Sequence, residues 1–280
     1  MNFMPKIPLA DWISSATDWV QETFSWLFEP LREDFGDFIE IFAEDWLMGI
    51  PPWLFILIVG VIAFVISKNV GLTAFSVIGL WFIYNQELWS DLMNTFTLVI
   101  FASLISVIIG VPFGILMAKN KVAERILTPV LDFMQTMPAF VYLIPAVAFF
   151  SIGMVPGVFS SVVFATPPTV RFTNLGIRQV SKELIEASDS FGTTGTQKLF
   201  KVQLPMARAT IMAGINQTVM LALSMVVIAS MIGAKGLGQT VITGLQRAEV
   251  GTGFVAGLGI VILAIIIDRF TQSISSQKTQ

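Results

Sequence analysis

Two stretches, residues 93–118 and 209–232, stay apolar for longer than a helix needs to cross a lipid bilayer. A helix rises about 1.5 Å per residue, so a span of the bilayer core takes about 20 residues. Lipid offers no partners to backbone N–H and C=O groups, so such runs must satisfy them internally, as helices. Further apolar runs at 53–68, 70–86, 130–150, 155–171 and 252–268 bring the expectation to an all-α membrane protein with about seven transmembrane helices. The run 155–171 is short and holds Pro167-Pro168, which predicts a segment broken or buried within the bundle. Composition agrees. The chain is 55% hydrophobic and only 12% charged, with a mean hydropathy of +0.79, whereas a soluble domain carries about a quarter charged residues.

The absences narrow the chemistry. The chain has no cysteine, which excludes disulfides and thiolate metal sites, and no histidine, which excludes Ser-His-Asp triads and HExxH sites. No Gly-Lys pair occurs, so there is no phosphate-binding GxxxxGK[ST] loop. No ionisable residue falls in the middle of an expected span; Asp132 and Asp268 lie near ends. Ion-driven carriers commonly keep an embedded acid, so the energy for any transport is expected to come from outside this chain. No secretory signal is expected at the start, MNFMPKIPLADW, which has no apolar run.

Residues 1–50 read as a unit of amphipathic helices at a membrane interface. Trp12, Ile13, Ala16, Trp19, Val20, Phe24 and Leu27 share one stripe, continued after Pro30 by Phe35, Phe38, Ile39, Phe42, Trp46 and Leu47. The other face carries ten acids against Lys6 and Arg32. Such a face fits docking on the protein's own membrane part or the outer leaflet. Residues 51–92 read as peripheral transmembrane helices and 93–272 as the core. With seven spans, twelve of the sixteen Lys and Arg fall on one side. The positive-inside rule makes that side cytoplasmic, together with the C-terminus and the 172–208 loop.

That loop has a pattern of its own. Ser181 is positioned to N-cap a helix bearing Leu184, Ala187, Ser188 and Phe191, and Gly192 can end it with positive φ. A second short helix is expected from about Thr196, carrying Leu199, Phe200 and Val202 up to Leu204-Pro205. An apolar stripe on an exposed loop asks for a partner.

Glu186-Ala187-Ser188, three residues, Gly192, nine residues, then Val202-x-Leu204-Pro205 resembles the EAA–Gly–I-x-LP loop of bacterial ABC importer permeases. Ser188 stands for the second Ala and Val202 for Ile. The runs 131–147, 164–180, 200–205 and 215–238, and the Pro5–Asp11 start, are similar to permeases of osmoprotectant importers for glycine betaine, proline betaine and carnitine. The resemblance implies a type I permease core over 93–272 in the bacterial plasma membrane, with 172–208 as a cytoplasmic coupling loop. It implies Glu186, Ala187, Ser188, Gly192, Leu204 and Pro205 as the ATPase-coupling residues. It also implies two ABC ATPase subunits as partners, which hold the ATP and Mg, a second copy of this chain, and an extracytoplasmic binding protein. No cofactor on this chain and no nucleic acid are implied.

For the translocation pathway, the polar or soft side chains of the core spans are the candidates: Gln135, Thr136 and Met137 beside Pro138, and Asn216, Gln217, Ser224 and Met225. The same groups suit interhelical hydrogen bonding and packing, and the sequence leaves both readings open. The Met231–Gly238 stretch is expected outside, as a turn that seats the binding protein or forms an outer gate, or as a plain reversal. A choline importer, or a permease for an amino acid or another small solute, is the nearest alternative. An ion-coupled carrier, a channel or a membrane enzyme is the alternative from another class.

Overall fold

The structure, a computed structural model, describes residues 7–276. Lys6 and Lys278, both part of the charge asymmetry, and the beginning of the Pro5–Asp11 run lie outside the described residues. Those described are helical, with no strand among them. The N-terminal unit is α1 (Leu9–Thr23), α2 (Ser25–Arg32), α3 (Asp34–Ile41) and a π-helical turn, Phe42–Leu47. Then come α4 (Pro52–Ser67) and α5 (Val70–Asn85), α6 (Trp89–Lys119) and α7 (Lys121–Thr136). A 3₁₀ turn (Ala139–Tyr142) leads into α8 (Leu143–Phe150), followed by α9 (Met154–Arg178), α10 (Lys182–Ser190) and α11 (Gly195–Lys198). A π-helical stretch (Leu199–Gln203), α12 (Leu204–Ser230), α13 (Leu237–Gln246) and α14 (Val250–Ser276) complete the order.

Local chemistry sets several boundaries. Asn69 caps α5, its Oδ1 accepting from the N–H of Gly71 at 2.8 Å and Leu72 at 3.3 Å. Lys68 takes the left-handed conformation that turns α4 back into α5. Asn120 caps α7 in the same way, through Val122 and Ala123.

At the centre, α9 packs along both α6 and α12. Small residues let the backbones close. A Cβ on Gly110 would lie 2.8 Å from Thr169 Cβ, and one on Gly114 2.5 Å from Thr173 Cβ. A Cβ on Gly214 would lie 2.5 Å from Phe172 Cβ. In lipid the hydrophobic effect does not pull helices together, so close packing and polar contacts must. The polar contacts are present. The Thr218 hydroxyl donates to the Ala165 carbonyl at 2.8 Å and shares a 2.7 Å hydrogen bond with Thr169. Ser106 and Thr166 both donate to the Val162 carbonyl, at 3.3 and 2.6 Å.

The carbonyls they reach, Val162 and Ala165, lie just before Pro167-Pro168. Of the two outcomes expected for this segment, broken or buried, it is buried, and α9 runs through both prolines as one helix, as α6 does through Pro112. Pro138 does divide a span. The run 130–150, expected as one helix, is α7 and the 139–150 segment, bent by 109° at Met137-Pro138. Conversely, the run expected at 209–232 belongs to one helical rod from Gly195 to Ser230, 36 residues long.

Among the described residues, three helices are long and apolar enough to cross: Trp89–Lys119, Gly195–Ser230 and Val250–Ile274. The number reaches five if each bent pair counts as one. The helices α4 and α5 have 16 residues each, about 24 Å of rise, shorter than the bilayer core. α9 is 25 residues long, but its Ser, Thr and Pro content makes it a helix shielded by protein rather than one bathed in lipid.

The N-terminal unit docks by its apolar side. Phe28 stacks on Phe149 at 4.8 Å, and Phe35, Phe38 and Phe42 meet the edge or face of Phe101 at 5.2–5.8 Å. Ile39, Ala43 and Leu47 are buried, whereas α1 buries no residue. Pro30 lies within α2 and does not separate two helices.

Candidate functional site

At one end of the molecule, α9 passes through Gln179 and Ser181 into α10, which carries Glu186, Ala187 and Ser188. Ser181 has extended backbone but makes no capping bond. Glu186 and Ala187 are exposed, while Ser188 is buried, its hydroxyl donating to Ile185 C=O at 2.9 Å. The Ser188 carbonyl accepts from the Thr193 hydroxyl at 2.8 Å. Gly192, at φ +73°, makes the reversal, and its N–H donates to Asp189 C=O at 2.9 Å. The next helix starts at Gly195. Its cap is Thr194, in a reciprocal box with Gln197: Gln197 N–H to Thr194 Oγ1 at 3.3 Å, Thr194 N–H to Gln197 Oε1 at 3.0 Å. The sequence signal for this cap was Thr-x-x-Gln. An Asp189–Lys198 ion pair ties the two arms of the loop.

Leu204 and Pro205 do not end the second helix. They open α12, where a proline in the first turn removes no helical hydrogen bond. Between them and α11, Leu199–Gln203 is wound as a π-helix, a form found most often where helices serve function. On the outside of the loop, Phe191 is 88% exposed, with Leu184 and Phe200 also exposed. An apolar tip on a polar loop is a surface awaiting another protein.

The second set of candidates divides. Gln135, Thr136 and Pro138 are exposed at the end of α7, and Met137 is half-buried in the extended link. Gln217 and Ser224 lie on the exposed face of α12, which touches the 139–142 turn. Asn216 points to the other side, donating to Asp268 at 2.9 Å and accepting from Thr271 at 2.6 Å. Met225 is fully buried. Thus Gln135 and Thr136 on α7 and Gln217 and Ser224 on α12 are each exposed, while Asn216 and Met225 are turned into the bundle.

At the opposite end, the turns that flank α9 and α12 are joined. The Gly153 N–H donates to Ile232 C=O at 3.0 Å. Lys235 Nζ reaches Glu40 at 2.8 Å and Glu44 at 3.2 Å, which bolts the N-terminal unit to the Met231–Gly236 turn. These hydrogen bonds, that from Glu40 first, raise the Lys235 pKa.

Residues 110–279 match the model of the family described as binding-protein-dependent transport system inner membrane component. The chain belongs to this family. Three curated relatives match the chain over nearly its whole length. A glycine betaine/carnitine transport permease protein of Listeria monocytogenes is 57% identical across 99% of both chains. A glycine betaine transport system permease protein of Bacillus subtilis is 48% identical over 99% of this chain and 98% of that one. The glycine betaine/proline betaine permease protein of Escherichia coli is 49% identical over 96% of this chain and 75% of its own. Among solved structures, the fold is similar to an inward-facing MetNI methionine ABC transporter, with a TM-score of 0.60. That likeness covers 70% of this chain and 95% of that one at 22% identity, and is a likeness of fold.

Proposed function

We infer that this chain is the membrane-spanning permease subunit of an ATP-driven importer for glycine betaine or a related quaternary-ammonium solute. The observation that carries the inference is the 57% identity, from end to end, to a glycine betaine/carnitine permease. The chain is a transport subunit and not an enzyme; hydrolysis of ATP, with its Mg, belongs to a separate ATPase. Two ATPase subunits, a second copy of this chain and an extracytoplasmic binding protein complete the assembly, in a bacterial plasma membrane. The 172–208 loop and the C-terminus face the cytoplasm, in keeping with the charge asymmetry.

In this reading Glu186, Ala187, Ser188 and Gly192 form the element that enters the ATPase, with Phe191 and Leu184 as apolar anchors. Leu204 and Pro205 start the rod that receives its motion. The exposed Gln135, Thr136, Gln217 and Ser224 line the route of the solute. Its weak polarity suits betaine, a cation and carboxylate with no hydrogen-bond donor. Aromatic cages bind such cations tightly and would hinder release, so tight binding belongs on the extracytoplasmic protein.

Proteoliposomes holding the complete complex test this directly. Labelled glycine betaine should enter only with ATP, Mg and the binding protein all present. Uptake by this chain alone, or uptake driven by a sodium or proton gradient, would falsify the reading. Competition by carnitine, proline betaine and choline then ranks the solutes.

A further inference from the structure

The main core runs through α6, α9, α12 and α14, and α7 stands outside it. Its one buried side chain, Leu131, belongs to a small separate cluster with Met117 and Val170. Leu127 and Met134 pack against that cluster, and two ion pairs, Glu124 with Arg178 and Asp132 with Arg171, also join α7 to α9. The spacing is eight residues on one helix and seven on the other, so antiparallel helices meet twice along their contact. Between them is a cavity of about 340 Å³, lined by Glu124, Thr128, Arg171, Asn174 and Arg178 among others. The small cluster packs α7 on α9, and the charges link them across the open space beside it.

The two ends of this link are the two candidate sites. Arg178 is the last residue of α9, four positions before the start of α10. At the far end of α7, Gln135 and Thr136 precede the 109° bend at Met137-Pro138. α9 is closely packed on α6 and α12, so its inner end moves as a stiff body, whereas α7, held by the small cluster, the two ion pairs and the Tyr142 hydroxyl on the Met134 carbonyl, is the looser element.

We propose that the Glu124–Arg178 and Asp132–Arg171 pairs are the linkage that turns movement of the 182–192 loop into a swing of α7 about Met137-Pro138. Glu124 and Asp132 are then positioning residues, which set the pathway residues through α7 without touching solute. The proposal rests on the importer reading above.

The test uses the complete complex in proteoliposomes. Glu124→Arg and Arg178→Glu, made singly, should leave most ATP hydrolysis intact and lower solute uptake about tenfold. The double exchange should restore uptake to within about threefold of wild type, because the pair is re-formed with its polarity reversed. Uptake that falls only in step with hydrolysis, or a double exchange no better than the singles, overturns the proposal. Where a single change blocks assembly, the neutral pair Glu124→Gln with Arg178→Gln decides, since it leaves no lone charge. Transport by that pair at wild-type efficiency per ATP overturns the linkage, and its uncoupling supports it.

A second readout does not depend on the solute. The chain has no cysteine, so Gln135→Cys introduces one thiol per copy. Its labelling by a water-soluble maleimide should change when ATP and vanadate trap the ATPases, and Glu124→Arg should abolish that change. An unaltered response in the Glu124→Arg background sinks the linkage even if the transported solute is not a betaine.

Discussion

Gly192 holds the reversal between α10 and α11 at φ +73°, with nothing within 4 Å of the place a Cβ would occupy. Any cost of substitution there is conformational, about 1–2 kcal/mol for an ordinary side chain. Proline would also lose the N–H bond to Asp189. Gly192→Pro should abolish ATP-driven uptake while the purified permease stays folded, with at most a small fall in melting temperature. Transport at the wild-type rate would show that the loop is not the coupling element. Lys235 makes a different prediction. Its pKa is raised above 10.5 by Glu40 and Glu44, so the contact is complete below the usual lysine value and is lost as pH climbs through the raised one. The pair is half-exposed, and its worth is at most about 1 kcal/mol. The difference in melting temperature between the wild type and Lys235→Gln should shrink as pH climbs past about 10.5, and a difference that stays constant would refute the contact's role. The Gly192 turn was legible in the sequence because glycine takes positive φ at no steric cost. Ser181 stands at the start of α10 as expected, though its side chain makes no bond, while the fuller signal, Thr194 with Gln197, caps the following helix.

Among elements, the α6–α9 contact depends on the absence of side chains. On Gly114 a Cβ would lie 2.5 Å from Thr173 Cβ and 2.7 Å from the Val170 carbonyl oxygen, which cannot move aside cheaply. Gly114→Val should therefore destabilise the permease by about 1–3 kcal/mol, seen as a lower melting temperature in detergent. Gly195→Ala, in open space, serves as the control. Hydropathy located the long helices, because lipid demands length and apolarity. It did not foresee what prolines do. Pro112, Pro167 and Pro168 have the same chemistry as Pro138, but Pro167 and Pro168 are buried between neighbouring helices and Pro112, though exposed, stays within α6, whereas Pro138 lies where α7 leaves the bundle. That difference is tertiary and no local pattern carries it. The same reason divided the pathway candidates: Asn216 and Gln217 are adjacent in sequence, and only the position of α14 turns one inward.

For the whole molecule, the N-terminal unit has two parts of unequal weight. Removing residues 1–23 takes away α1, which buries nothing, and should leave thermal stability unchanged. Removing 1–49 also strips Ile39, Ala43 and Leu47 from the core and uncovers Phe101. A buried aliphatic side chain is worth about 1.5–3 kcal/mol, so that deletion should lower stability measurably in the same assay. Equal melting of the two truncated forms would refute this division. The rod from Gly195 to Ser230 has a consequence of its own. At 36 residues it is about 54 Å long, and its only widened turn is near its foot, at Leu199–Gln203. A stiff shaft cannot dissipate torque along its length. On the importer reading proposed above, rotation imposed at the glycine elbow would re-emerge at the Met231–Gly236 head, so the two ends of the rod would keep time as one mechanical event.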